Sequence, residues 1–392
     1  MTEQALVRPP AIDFDHQNQD LAPRIHDVYR ELRGESPLQW SEHYGGFWIA
    51  TGYEPIQDIA QAPSRFTSDG ALIPDTMDGN ALVPQMLEDP DHRLYRTLLR
   101  DWFTPRRIGS FESELRAMAA GILENLQAPA DLSTEFALPL PMRMILKVIG
   151  VQEQNMDPIR EGVQYMVDHA GQDTAGATDA WQSAMDFVKH IVLAPLRDQP
   201  GDDLLSYLLT KQDEIEQLTD DMIAAIGFSM IGAGFDTTYK TLSSSLAFLA
   251  SNPDAQAKAR TAPSSAVVEE MLRMFAPVAA GRRVQADTVV AGQRLRAGDR
   301  VLLAYPAANR DPAEFSDPDT ARFERNNNRH LTFGTGIHRC LGMHLARLEM
   351  RVAIEEVLSA FTEFHLAPGE KASFVQSQVW GAVSVPVVFT RT

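Results

Sequence analysis

Hydrophobic residues recur about every 3.6 positions over most of the chain from Asp89 onward, a period typical of amphipathic helices. Shorter runs that alternate or are rich in β-branched residues favour strands near the start, in the middle and at the end: FWIATGY, RRVQADTVVAGQRLRAGDRVLLAY and VSVPVVFT. We therefore predict a mainly α fold with a small β region. The strands from the three regions are expected to meet in one small sheet beside a large helical body.

Residues 219–250 predict a helix of unusual length. Thr219 and Asp220 are candidate N-terminal caps, and Asn252-Pro253 ends the pattern. At a rise of 1.5 Å per residue this helix would be about 45–50 Å long. Its centre is apolar on nearly all faces, so we expect it to run through the core.

Two glycines and a polar pair interrupt the apolar centre of this helix. Gly232, Gly234 and Asp236-Thr237 all lower helix propensity. One interpretation is close packing of a neighbouring helix on the glycines, with the Thr237 hydroxyl bonded to a carbonyl one turn earlier. The other is a widened helix that receives a ligand and places an acid and an alcohol beside it. The segment alone is compatible with both.

The chain has one cysteine, Cys340, among 392 residues. A single thiol excludes an internal disulfide, a four-cysteine zinc site and an iron–sulfur cluster held by the chain's own cysteines. It lies in the run FGTGIHRCLG, between an extended segment and a predicted helix, where N–H groups and the helix dipole stabilise a thiolate. An inert core cysteine would not require the glycines of this run. A nucleophile would need a base, and only His338 is near in sequence. A metal ligand fits this setting better than either.

Charge and hydropathy limit the partners. Lys and Arg number 35 against 53 Asp and Glu, and a net charge of −18 argues against nucleic acid and anionic membranes. No apolar run approaches the roughly 20 residues of a membrane helix, and the N-terminal residues lack a signal-peptide core. We expect a cytoplasmic protein with one domain over residues 1–392 and an N-terminal arm of about residues 1–20.

The cysteine run resembles the haem-binding signature of the cytochromes P-450, Phe-Gly-x-Gly-x-His/Arg-x-Cys-x-Gly, at every defined position. AGFDT at 233–237 resembles the central-helix motif of that family, and Glu270 with Arg273 resembles its Glu-x-x-Arg pair. ANRDPAEFSDPD resembles its meander, and the resemblance covers roughly residues 35 to 390. It implies the cytochrome P-450 fold, a helical body with a long central helix and a minor β-sheet.

The resemblance also implies a cofactor, haem b, with Cys340 as the axial thiolate ligand of its iron and Phe333 packed near the sulfur. Glu270 and Arg273 are expected to form a buried pair that ties their helix to the meander. The side chains expected to bind the haem propionates are His92, Arg96, Arg282 and His338.

The implied activity is that of a haem-thiolate monooxygenase that activates O2 and hydroxylates an unactivated carbon. Asp236 and Thr237 are the expected catalytic pair, relaying protons for O–O cleavage. Relatives that use peroxide commonly lack this pair, so it favours O2 and separate redox proteins, a ferredoxin or flavodoxin with its reductase. A different class, a non-catalytic haem-based ligand sensor, would need no relay, and a haem-free helical scaffold would need no cysteine loop.

An excess of arginine marks the segment DHRLYRTLLRDWFTPRR. This is a solvated helix face that also supplies propionate ligands, or a docking patch for an acidic electron donor. Asp91 and Asp101 stand against the arginines Arg93, Arg96, Arg100, Arg106 and Arg107.

By resemblance, the substrate pocket is lined from the loop 70–74, from the region of Tyr165 to Phe187 and from the central helix. Its walls are mostly apolar and small, which favours a compact hydrophobic substrate, with Ser229 and Gln378 able to orient one oxygen. A terpenoid is the first expectation, and a steroid or an aromatic compound is the alternative. The individual pocket residues expected are Leu72, Ile73, Ser229, Gly232, Ala233, Val278, Gln378 and Val379.

Overall fold

The structure, a computed structural model, describes residues 8–70, 72–74, 82–155, 161–162, 165 and 174–392. Helices dominate this part of the chain, as predicted. The α-helices with described bounds, α1 to α14, are Ile25–Glu35, Tyr53–Ala60, Asp91–Arg100, Pro105–Gly109, Glu112–Asn125, Pro139–Ile149, Thr174–Phe187, Ala194–Asp198, Leu204–Lys211, Asp220–Ser251, Pro253–Thr261, Ser264–Met274, Tyr305–Ala308 and Met343–Ala360. The strands, β1 to β12, are Leu38–Ser41, Phe47–Ala50, Phe66–Thr67, Ala130–Asp131, Ala279–Val284, Thr288–Val290, Gln293–Leu295, Arg300–Ala304, Phe361–Leu366, Ser373–Val375, Gly381–Ser384 and Pro386–Arg391.

The long central helix is α10, and its ends are those predicted. The Thr219 hydroxyl accepts the N–H of Met222 at 3.2 Å, and Asn252 caps the other end before Pro253. Most of its residues between 223 and 250 are buried. The helix therefore passes through the core.

The centre of α10 is not widened. It is α-helical from Asp220 to Ser251, and the Thr237 hydroxyl donates to the Ala233 carbonyl at 2.9 Å. A Cβ at Gly234 would lie 2.7 Å from Cγ1 of Ile145 on α6. Close packing of α6 thus accounts for this glycine, and the expectation of a distorted backbone was wrong.

The strands form several sheets rather than the single sheet expected. A five-stranded sheet has the order β1-β2-β8-β5-β3 and joins the N-terminal and middle regions, with β2 and β8 parallel. The C-terminal strand β12 instead pairs with β9 and β4, and β11 pairs with β10. Strand β9 begins directly after α14 ends, and β12 pairs with β9. For this reason β12 is not part of the five-stranded sheet.

Two hydrophobic clusters hold these layers together. The larger surrounds α10, and the smaller lies between the five-stranded sheet and α2. Trp48, Ile56 and Phe315 are fully buried in the smaller cluster. Within the described residues, no helix combines the length and apolarity needed to cross a bilayer.

Glu270 and Arg273 on α12 form an ion pair whose side chains are both 0% exposed. Two hydrogen bonds of 2.8 and 2.9 Å join the guanidinium to the carboxylate. Arg273 also donates to the carbonyls of Asn309 and Pro318, and the carboxylate of Glu270 accepts the N–H of Arg322. The pair therefore fastens α12 to residues 309–322, which include most of the meander-like segment.

Candidate active site

A cavity of about 460 Å³ lies between α10, the cysteine loop (residues 333–342) and strand β5. The structure gathers most of the predicted site residues around it. The predicted residues that line the cavity are Leu72, His92, Arg96, Ser229, Gly232, Ala233, Asp236, Thr237, Val278, Arg282, Phe333, His338, Cys340, Gln378 and Val379.

Glycines shape the cysteine loop. Gly334 and Gly336 have φ of +65° and +76°, where side chains are strained, and a Cβ at Gly336 would lie 2.3 Å from the carbonyl oxygen of Ala60. The loop is closed by a 2.8 Å hydrogen bond from the Cys340 N–H to the Phe333 carbonyl. Cys340 is thus held three residues before the first residue of α14.

The Cys340 thiol opens onto the cavity while protein surrounds it on its other sides. Burial raises the pKa of this thiol, although the Gly342 N–H and the charge of Arg96 act in the opposite direction. A bound metal cation would overcome this effect of burial, and the thiol would lose its proton. The setting therefore suits a metal ligand.

Four basic side chains from three elements meet at one end of the cavity. His92 and Arg96 come from α3, Arg282 from β5 and His338 from the cysteine loop, and the two imidazole rings lie 4.5 Å apart between centroids. Burial and the charges of Arg282, His92 and Arg96 lower the pKa of His338 to about 3.

The donors of this basic cluster are poorly satisfied by the protein. Among the described residues, neither ring nitrogen of His338 has a hydrogen-bond partner, and the Glu88 carboxylate stays 3.8 Å from its Nε2. The Asp89 carboxylate is likewise 3.7 Å from Nδ1 of His92. A ligand carrying two carboxylates would satisfy these groups, and haem has two. One thiol, four basic donors and apolar walls therefore fit the predicted haem.

Asp236 and Thr237 line the cavity from α10. The Asp236 carboxylate is paired with Lys240 one turn along the same helix, with Nζ 2.9 Å from Oδ2. Lys240 is absent from the predicted site. The spacing of four residues between an acid and a lysine is the sequence signal that indicates it.

Glu349 on α14 is a second residue that the sequence analysis missed. It lines the cavity and is buried, and burial raises its pKa well above the usual range against a smaller opposing effect of Thr238. Burial therefore favours the protonated form of this carboxyl. Its spacing from Leu345 and Val352 places it on the buried face of α14, which is the signal that the sequence carries.

Two pocket expectations need correction. Ile73 does not line the cavity. The Gln378 side-chain amide donates to the Ile73 carbonyl at 2.8 Å, so this amide N–H is already hydrogen-bonded within the protein. The described residues of 165–187 do not line the cavity either, and the rest of that region, like Ala71, lies outside the described residues. Ser229 is buried at the cavity wall, and in the part of the chain that the structure describes its hydroxyl has no hydrogen-bond partner.

The arginine excess is only partly exposed. Arg93 and Arg100 on α3 are 78% and 70% exposed, and both flank a groove that also contains Ile337 and Leu341 of the cysteine loop. Arg107 instead binds Asp202 at 2.8 Å and stacks on Trp102, while Arg96 donates to the Arg339 carbonyl.

Comparison with known proteins identifies the family. The family model for Cytochrome P450 matches residues 88–262 and 264–387. The chain is 30% identical over 402 residues to Cytochrome P450-terp from Pseudomonas sp, covering 94% of each chain. It is 31% identical over 403 residues to a Steroid C26-monooxygenase from Mycobacterium tuberculosis, covering 98% of each.

The fold agrees with these matches. The crystal structure of CYP109E1 from Bacillus megaterium in complex with testosterone superposes with a TM-score of 0.86 at 25% identity, covering 95% of this chain and 99% of that one. CYP101J2 superposes with a TM-score of 0.87 at 26% identity, covering 99% of this chain. Monooxygenases among the relatives and the haem-thiolate chemistry of the family exclude the non-catalytic sensor and the haem-free scaffold. The chain therefore belongs to the cytochrome P450 family and is a haem-thiolate monooxygenase of the bacterial type.

Proposed function

We propose that this enzyme uses O2 and electrons from a separate protein donor to hydroxylate a small terpenoid. The observation that carries the proposal is that one mostly apolar cavity brings the Cys340 thiol together with the Asp236-Thr237 pair. Haem, held by Cys340 and the basic cluster, would supply the iron that takes up electrons and O2 and oxidises the substrate.

The pair on α10 would handle protons. Because the Thr237 hydroxyl hydrogen is donated to the Ala233 carbonyl, the oxygen lone pairs of that hydroxyl are left to accept a water in the cavity. The adjacent Asp236 carboxylate can take a proton from water and return it to this hydrogen-bonded chain. Its ion pair with Lys240 holds the carboxylate at the cavity wall.

Replacing Thr237 by alanine is expected to lower the product formed per pair of electrons by roughly 10- to 100-fold, at or below the usual effect of general acid–base catalysis. Electrons would then leave as peroxide, while substrate affinity stays unchanged. The measurement is ¹⁸O incorporation from ¹⁸O2 beside peroxide release. Thr237→Ser, which keeps the hydroxyl, serves as the control, and full coupling in the alanine variant would refute the relay.

The size of the cavity supports a compact substrate. Its volume of about 460 Å³ also contains the space beside Cys340 and the basic cluster, so haem and substrate would share it. Similarity to Cytochrome P450-terp favours a terpenoid, whereas the steroid monooxygenase and the testosterone complex favour the alternative, a steroid. The Ser229 hydroxyl is available to orient one substrate oxygen.

Titration of the haem-loaded protein with oxygenated monoterpenes is expected to shift the haem from low spin to high spin. Ser229→Ala should weaken binding of a monoterpene alcohol by about fivefold, the loss of one hydrogen bond, and leave binding of the parent hydrocarbon unchanged. A protein that responds to steroids and to no monoterpenoid would overturn the terpenoid assignment.

We also propose that an acidic ferredoxin or flavodoxin of the cytoplasm docks on the groove beside the cysteine loop, where Arg93 and Arg100 are exposed. Arg100→Glu is expected to slow reduction by the donor several-fold at low salt and to flatten the dependence of the rate on ionic strength. Stopped-flow reduction at several salt concentrations measures both effects. Arg143→Glu, an exposed arginine of α6, should leave them unchanged, and an unchanged Arg100 variant would contradict the assignment.

A further inference from the structure

Lys240 is a buried cation that contacts two functional parts of the cavity wall. Its Nζ lies 2.9 Å from Oδ2 of Asp236 and donates to the backbone carbonyl of Val379 at 3.1 Å. The side chains of Lys240 and Asp236 are only 7% and 15% exposed. A buried ammonium is costly unless it is paired and hydrogen-bonded, so both contacts are needed to hold it.

The backbone around Lys240 is fixed against strand β11. A Cβ at Gly381 would lie 2.4 Å from Cβ of Lys240, so only glycine allows this approach. Ser244 donates to the Lys240 carbonyl at 2.7 Å and accepts the N–H of Ala382 at 3.0 Å. Helix α10 and β11 therefore meet at a defined register, and the flexible part of the contact is the lysine side chain.

The turn that contains Val379 is itself part of the pocket. Gln378 and Val379 line the cavity, and Val379 forms a β-bridge with Val278, another lining residue. The Ser377 hydroxyl accepts the N–H of Val379 at 3.2 Å and donates to the Val379 carbonyl at 3.1 Å, so it orders the turn. A molecule that fills the cavity would therefore contact the segment whose carbonyl binds Lys240.

We propose that Lys240 is a positioning residue that ties the Asp236 carboxylate to the substrate-contacting turn at Gln378-Val379. The ammonium is shared between the two acceptors, so the position of the Asp236 carboxylate depends on the position of the turn. A substrate that packs against Gln378 and Val379 fixes the turn and, through Lys240, the carboxylate. The acid is thereby held in place for proton transfer when substrate is present, an inference that rests on the proposed relay role of Asp236.

The test uses the haem-loaded protein and Lys240→Met, which keeps most of the stem and removes the charge. Backbone hydrogen exchange over residues 376–382 is measured with and without a monoterpenoid that gives the spin shift. In the parent protein the ligand is expected to slow exchange of this turn about threefold or more, the low end of coupling between contacting residues. Lys240→Met should exchange faster and lose most of the ligand effect, whereas Lys258→Met, at an exposed position on α11, should match the parent.

The second readout is the solvent deuterium isotope effect on product formation. Lys240→Met and Asp236→Asn are each expected to change this effect about twofold or more. Ser377→Ala, which loosens the turn without touching the ion pair, should change it in the same direction and covers the case in which Lys240→Met does not fold. Lys240→Arg, which keeps a cation with donors for both acceptors, should restore the parent values.

The outcomes separate the two proposals. If Asp236→Asn leaves coupling and the isotope effect unchanged, the relay itself is wrong. If Asp236→Asn alters them and Lys240→Met does not, the relay stands and the tie is overturned. If Lys240→Met loosens the turn but keeps the parent isotope effect, the lysine only stabilises the turn, and the tie is again overturned.

Discussion

Replacement of Cys340 by serine is expected to abolish monooxygenase activity and the strongly red-shifted Soret band that carbon monoxide gives with a reduced haem-thiolate protein. Serine has the same shape, but its hydroxyl stays protonated where a cysteine thiol loses its proton to a metal. The described structure is expected to persist, because Cys340 contributes one backbone hydrogen bond to the loop and the serine keeps its N–H. The difference spectrum of the reduced protein with carbon monoxide measures the effect.

Thr335→Ser is a suitable control for the cysteine experiment. It lies in the same loop, and the Thr335 hydroxyl that accepts the Gln61 amide at 2.9 Å is retained by serine. This variant should keep both the band and the activity. A Cys340→Ser protein that still gave the red-shifted band would show that the thiolate ligand is not Cys340.

The second large effect is expected from Arg273→Met. Removal of the guanidinium leaves the buried Glu270 carboxylate with Arg325, 3.2 Å away, as its remaining cationic partner, so the cost is expected near the lower end of the about 3–5 kcal/mol that breaking a buried ion pair takes. It also removes the hydrogen bonds that α12 makes to the carbonyls of Asn309 and Pro318. Urea unfolding of the haem-loaded protein, followed by circular dichroism, measures the loss.

The matched control for Arg273 is Arg143→Met, which breaks the exposed pair between Arg143 and Glu153. An exposed pair is worth about 1 kcal/mol or less, so the midpoint should hardly move. Equal effects of the two substitutions would contradict the structural role of the buried pair.

The Glu270 pair also has a defined pH dependence. Burial alone would raise the pKa of Glu270, but the hydrogen bonds and charge of Arg273, together with hydrogen bonds from the Arg322 N–H and from Arg325, outweigh it and hold the pKa below the unfolded value of 4.5. A carboxyl with a depressed folded pKa stabilises the protein fully above its unfolded pKa. Its contribution is therefore lost as the pH falls below 4.5 and through the folded pKa, and Arg273→Met should lose this part of the acid sensitivity.

Local signals made much of the fold predictable. The bounds of the central helix are predicted by the cap at Thr219 and by Asn252-Pro253 at its end, and both signals are adjacent in sequence to the helix. The cysteine loop is predictable for the same reason, because Gly334 and Gly336 must take positive φ within a few residues of Cys340. Contacts set by neighbours in the chain can be predicted from the chain.

Long-range contacts could not be predicted in this way. The pairing of β12 with β9 and β4 depends on where α14 ends. The alternating pattern of VSVPVVFT predicts a strand but not the strand with which it pairs. The Gln378 amide binds the Ile73 carbonyl 305 residues away, so its predicted role toward substrate depended on a contact that no local pattern encodes. Likewise, the link from Lys240 to Val379 exists only because β11 packs on α10.

The crowding of His92, Arg96, Arg282 and His338 at one end of the cavity has a consequence for biogenesis. Two like charges, Arg96 and Arg282, meet there beside two histidines whose pKa values are lowered by burial and by the neighbouring arginines, an arrangement that opposes folding of the chain on its own. A dianionic cofactor that binds the folded chain and not the unfolded one offsets this unfavourable contribution to the free energy of folding. Maturation of the protein is thus thermodynamically linked to haem supply, and the yield of folded enzyme should follow the availability of haem in the producing cell.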